Sequence, residues 1–220
     1  MGVSNFYKNK FTTLLIVLIF ASMALLIAGL ATRWYKIVVY QQTVSLTQEF
    51  SFHATKIVRH IIDTDVYPHS GWSVYDLKKT HVFFNAGMAM GAIAFIVGII
   101  SLIFVTLKQL GVVTNNIVWH ITRGLMVVTF ISILCSVSVL SGITNAFKKD
   151  YESSQRVTDR FPYCYQACDN KWKGTETNEL GDKITFGPGM GWILTVISGV
   201  PALFAIVVAF VFKHSDDPLK

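Results

Sequence analysis

The residues of this 220-residue chain best equipped for chemistry are a cysteine pair, two histidines, two aspartates and one arginine inside an apolar run. Cys164 and Cys168 stand in a polar stretch as C-x-x-x-C. That spacing is one residue too long for C-x-x-C redox chemistry, and a zinc ion would need further ligands. The pair allows a disulfide, two free thiols or half of a metal site. We carry forward a Cys164–Cys168 bond as the expectation, which would imply an oxidising compartment. Cys135, the third cysteine, falls in an apolar run. Arg123 does too, and an intramembrane charge is a functional-site hypothesis by default. It lies about one and a half turns into its helix, so its long side chain can reach the headgroup layer instead. Anchoring is the expectation, and contact with an ion or substrate the alternative. His81 and His120 open two successive apolar runs that must be antiparallel, which puts them on opposite membrane faces, where they cannot share a metal or haem. Asn85, one turn into its run, is expected to hydrogen-bond a neighbouring helix. Asp63 and Asp65 read as a solvated turn. No nucleophile, acid–base pair or ligand set emerges, so neither an enzymatic activity nor a cofactor or metal is expected.

The elements that carry these residues are read from hydropathy. The chain is 52% hydrophobic and 15% charged, against about 25% charged in a soluble domain. The deficit is concentrated in four runs: residues 12–31, 82–107, 117–143 and 190–212. The first is 20 residues without a charge, which as a helix covers about 30 Å, the thickness of a bilayer's hydrocarbon core. Trp34, Tyr35, Trp119 and Trp192 flank the runs as interfacial aromatics do. The first run is longer than a signal-peptide core, which favours an anchor over a cleaved leader. The formal charge of +6 is spread along the chain without a basic block, which argues against a nucleic-acid partner. The partner expected is the lipid bilayer, with the chain itself or other membrane proteins.

Small residues recur within three of the runs at alternating spacings of three and four. They are Ala21, Ala24, Ala28 and Ala31 in the first, Gly87, Gly91, Ala94, Gly98 and Ser101 in the second, and Ser198, Ala202, Ala205 and Ala209 in the fourth. Each set falls on one stripe of its helix, where small side chains let backbones approach closely. A tightly packed bundle without a wide pore follows. Pro201 is expected to kink the fourth helix.

Four spans place residues 1–11 and 213–220 on one side and the two large loops, 32–81 and 144–189, on the other, with a short loop at 108–116. The positive-inside count gives 6 Lys and Arg in residues 32–81 and 7 in residues 144–186, which favours cytosolic large loops. Loop length, the acidic residues of the second loop and the cysteine pair favour the opposite arrangement, with cytosolic termini.

In the first loop, Val38, Tyr40, Val44, Leu46, Phe50 and Phe52 alternate with polar residues, which predicts two strands or one bent strand. Ala54, Ile57, Val58, Ile61 and Ile62 then predict a short amphipathic helix. Gly71 to Tyr75 and Lys183 to Phe186 are further strand candidates. The fold class expected is an all-α transmembrane four-helix bundle with a small extramembrane β-sheet formed by the two large loops.

With Trp34 just beyond the first run and Gly71-Trp72 later in the loop, this layout resembles the claudin-like tetraspan superfamily. The resemblance is architectural and covers the whole length. The first loop lacks that family's cysteine pair, so no junction-forming or ion-selectivity residue carries over. The resemblance implies a membrane-organising or adhesion-type protein at the plasma membrane or an endomembrane, with Trp34, Gly71 and Trp72 in the loop cap. A channel, a transporter or an auxiliary subunit of a channel is the alternative.

Overall fold

The computed structural model describes residues 10–40, 44–51, 55–61, 64–66, 69–70, 77–113, 115–153, 172–177 and 181–211. Four long helices follow the apolar runs: α1 (Lys10–Ala31), α2 (Lys78–Gln109), α3 (Asn116–Ser138) and, after a shorter helix, α5 (Met190–Val211). Each is long and apolar enough to cross a bilayer. Local signals set their ends. Asn115 caps α3, its Oδ1 accepting from the backbone N–H of Ile117 at 2.9 Å. The α2 helix stops in a glycine C-cap: Gly111 takes φ +73°, its N–H donates to Lys108 O, and Val112 N–H donates to Leu107 O. The α5 helix continues on both sides of Pro201.

The third apolar run is expected to stay helical through residue 143, but α3 ends at Ser138. A 3₁₀ turn (Val139–Gly142) redirects the chain into α4 (Ile143–Ser153). In this turn the Ser141 hydroxyl donates to Ser138 O, the local competition with the helix ladder that serine favours. Ile143, Ala146, Phe147 and Asp150 of α4 are buried, a one-sided stripe at helical spacing.

The strands are β1 (Tyr35–Tyr40), β2 (Val44–Phe50), β3 (Thr55–Ile61), β4 (Thr64–Val66), β5 (His69–Ser70), β6 (Gly174–Thr177) and β7 (Lys183–Pro188). They form one antiparallel sheet of order β4-β3-β2-β1-β7-β6, with β5 pairing β3. The expected joining of the two loops is the β1–β7 ladder, in which Tyr35 faces Pro188 and Ile37 faces Phe186. Two details of the sequence reading are corrected. Residues 55–61 are strand β3 and not a helix. Its β-branched Ile57, Val58 and Ile61 suit a strand, and full pairing with β2, from Val44↔Ile61 to Phe50↔Thr55, outweighs the short helical periodicity. The inward face of β1 is also Tyr35, Ile37 and Val39, while Tyr40 is exposed. The hairpin register Tyr40↔Ser45 exchanges odd and even positions, so Phe50 shares a face with Tyr35.

The chain divides into two compact units. One comprises Met1–Ile27, Gly91–Leu134 and Val196–Lys220. Its buried residues include Leu15, Ile19 and Met23 of α1, Ala94 and Val105 of α2, Met126 and Ile133 of α3, and Ala202, Ala205 and Val208 of α5. The other comprises Ala28–Met90 and Cys135–Thr195. Its core joins the inward face of the sheet to the helices: Trp34, Tyr35, Ile37, Val39, Phe50, Ile184 and Phe186 pack with Leu77, Phe84, Ile143 and Phe147. Phe50 sits centrally, stacked on Phe84 at 6.3 Å and edge-on to Phe147 at 5.1 Å.

Candidate functional site

Within the first unit, α1, α2, α3 and α5 converge on Ser22, Met23, Gly98, Ser101, Met126 and Thr129, with Ala202 and Ala205 completing the wall. The space left among them is about 10 Å³, roughly what one water molecule needs. Met23 fills the hollow at Gly98, where any Cβ would collide with its side chain. The polar side chains here already donate to helix carbonyls. Ser22 Oγ donates to Ser198 O at 2.8 Å, Ser101 Oγ to Val97 O at 2.9 Å and Thr129 Oγ1 to Leu125 O at 2.9 Å. The Ser22 bond links α1 to α5 in the turn where Pro201 removes a backbone donor.

Arg123 is half-buried in α3. Its Nε donates to Ala209 O of α5 at 2.8 Å, and its guanidinium lies 5.3 Å from the Trp119 ring centre and 5.2 Å from that of Phe210. The expected headgroup anchor thus ties two helices together, where a cation near the last carbonyls of α5 is electrostatically favourable. Among the described residues, Asn85 has no bond to a neighbouring helix. It is exposed, and its Nδ2 lies 3.2 Å from Nε2 of His81, one turn back on α2. None of the four long helices contains an Asp or Glu.

Of the small-residue stripes, Gly87, Gly91, Ala94, Gly98 and Ser101 are all buried, and so are Ser198, Ala202, Ala205 and Ala209. The α1 set differs: Ala24 and Ala31 are exposed, and Ala21 and Ala28 half-buried. The α1 face turned inward is Ile19, Ser22, Met23, Leu26 and Gly29, one position round the helix from the alanines.

In the second unit the contact between α1 and α5 is made backbone to backbone. A Cβ on Gly29 would lie 3.0 Å from Gly191 O, and one on Gly191 would lie 2.7 Å from Gly29 O. Trp34 closes this contact from the sheet side. It is 1% exposed, its Nε1 donates to Gly29 O at 2.9 Å, and its carbonyl accepts from Gly189 N–H at 2.8 Å. Trp192 of α5 donates to Val137 O and packs on Trp172, whose carbonyl accepts from Tyr35 Oη. Asp150 of α4 is 1% exposed and accepts from the backbone N–H groups of Lys79 (2.9 Å) and Thr80 (2.8 Å). A buried carboxylate from another helix thereby caps the positive end of α2.

Gly71, Trp72, Asp63, Cys164 and Cys168 lie outside the described residues. Among the described residues, Cys135 is a free, exposed thiol, and no cluster of metal-ligating side chains occurs. Sequence reasoning gave Gly29 no packing role and passed over Gly191, Ser22 and Asp150. Asp150 had a usable signal, because it completes the stripe Ile143, Ala146, Phe147 as its one charged member. Comparison with known proteins adds no assignment: no protein-family model matches the chain, and no curated protein matches it significantly.

Proposed function

We propose that this chain is a multi-pass tetraspan of the claudin-like kind, without enzymatic activity, that organises or joins membrane assemblies through lateral association and through its loop sheet. The observation that carries this reading is the close helix packing around Ser22, Met23, Gly98, Ser101 and Thr129, with space there for about one water and hydroxyls already committed to backbone carbonyls. A cation path needs carboxylates or free carbonyls along its length, and the long helices offer no carboxylate. Most of their surface instead faces outward: Val17, Phe20, Ile96, Ile131 and Phe204 are all exposed. Ala24, exposed in the chain's own packing, lies among such residues on α1 and would let another helix come close.

Proteoliposomes containing the purified chain should show no K⁺, Cl⁻ or proton flux above protein-free vesicles. Flux that disappears with Arg123→Ala would overturn this reading in favour of a transporter or channel.

A further inference from the structure

Where α1 gives way to β1 and β7 to α5, a cavity of about 540 Å³ opens on the second unit, with Arg33, Lys36 and Glu49 in its wall beside Ala31 and Met190. We propose that it holds the phosphate headgroup of a membrane phospholipid, bound by Arg33 and Lys36, with the glycerol and upper acyl chain against Ala31 and Met190. The volume lies within the range of small-molecule sites, roughly 300–1,000 Å³. The charges favour an anion. Glu49, the one carboxylate in the wall, is ion-paired with Arg33. Lys36 is exposed and has no ionic partner among the described residues. The sheet register sets Lys36 directly across from Glu49. In the cavity wall two cations, Arg33 and Lys36, therefore stand against one carboxylate.

The Glu49 carboxylate takes one nitrogen of the Arg33 guanidinium. The planar fork keeps further N–H donors for phosphate oxygens. The rest of the wall distinguishes a lipid from free phosphate. Ala31 is the last residue of α1 and Met190 the first of α5; both are exposed, Met190 by 61%, and both end helices apolar enough to cross a bilayer. A headgroup seated between Arg33 and Lys36 would thus have its apolar part beside helix surface that lipid is expected to cover. Soluble phosphate would leave that half of the cavity unused.

Native mass spectrometry of the full-length chain in mild detergent, titrated with phosphatidylglycerol, tests this site. The Arg33→Gln/Lys36→Gln double variant should bind the first lipid about tenfold more weakly, because two charge-assisted contacts are lost. Lys36→Gln alone removes an exposed side chain that the fold does not need, and should weaken binding severalfold. Lys149→Gln, exposed on α4 and absent from the cavity wall, should bind like the wild type. Wild-type binding by Lys36→Gln would overturn the proposal. Displacement of the lipid by millimolar inorganic phosphate would overturn it too, by making this a soluble-anion site.

Discussion

Gly191→Val is expected to leave little folded protein, because the position where α5 meets α1 has no room for a side chain. A Cβ there would lie 2.5 Å from Trp34 Cδ1, 2.7 Å from Gly29 O and 2.9 Å from Thr32 O. Two of these atoms are backbone carbonyls and cannot swing away as a side-chain end would. Relief requires the helices to separate. Separation would break Gly191 N–H to Arg33 O and Gly189 N–H to Trp34 O, both 2.8 Å, and would disturb the pocket that holds Trp34. Overpacking alone costs about 1–3 kcal/mol, and each lost buried hydrogen bond adds roughly 1 kcal/mol or more. Gly191→Ala should therefore destabilise by about 3 kcal/mol or more, and valine should exceed what a marginally stable chain tolerates. Gly124→Ala is the control. A Cβ there meets nothing within 4 Å, so it should be neutral or stabilise α3 by roughly 0.5–1 kcal/mol. Thermal unfolding followed by fluorescence-detected size exclusion separates the two outcomes.

Asp150→Ala should be nearly as damaging. The carboxylate is buried and accepts from two successive N–H groups in the first turn of α2. Hydrogen bonds to a charged group are worth about 1.5–3 kcal/mol each, and alanine leaves both donors desolvated and unanswered. We expect a loss of roughly 3–5 kcal/mol, with the first turn of α2 fraying. Asp150→Asn keeps one carbonyl acceptor and should cost less, about 1–2 kcal/mol. Hydrogen exchange would show the pattern: the amides of Lys79 and Thr80 should lose protection first. Unchanged protection there in Asp150→Ala would mean that the cap does not hold α2.

The helices were legible because bilayer thickness imposes a length that few other elements share. The small-residue stripes of α2 and α5 were legible as periodicity, and their members are buried. The α1 stripe shows the limit of that reading. Ala21, Ala24, Ala28 and Ala31 are as regular as the others, yet α1 turns its Ser22–Met23–Leu26–Gly29 face inward, because Gly29 permits the contact with Gly191. Which stripe faces a partner is a property of two helices together, and one helix's sequence does not encode it. The sheet was half legible for a similar reason. Alternation revealed β1 and β2, but a hairpin that exchanges parity reversed the inward face, and residues 55–61 carry a pattern that suits either period until β2 supplies a partner. Asp150 and Arg33–Glu49 depend on contacts 71 and 16 residues apart in sequence, which no local window spans.

Lateral association is the central claim, and its most direct measurement is the size of the particles that carry the chain when membranes are extracted into native-lipid nanodiscs at natural expression levels. Mass photometry of the affinity-captured particles should show assemblies heavier than one 24.6 kDa copy plus its disc, either repeats of this chain or complexes with other membrane proteins. A single population at one copy per disc, unchanged by cross-linking in the intact membrane before extraction, would contradict it.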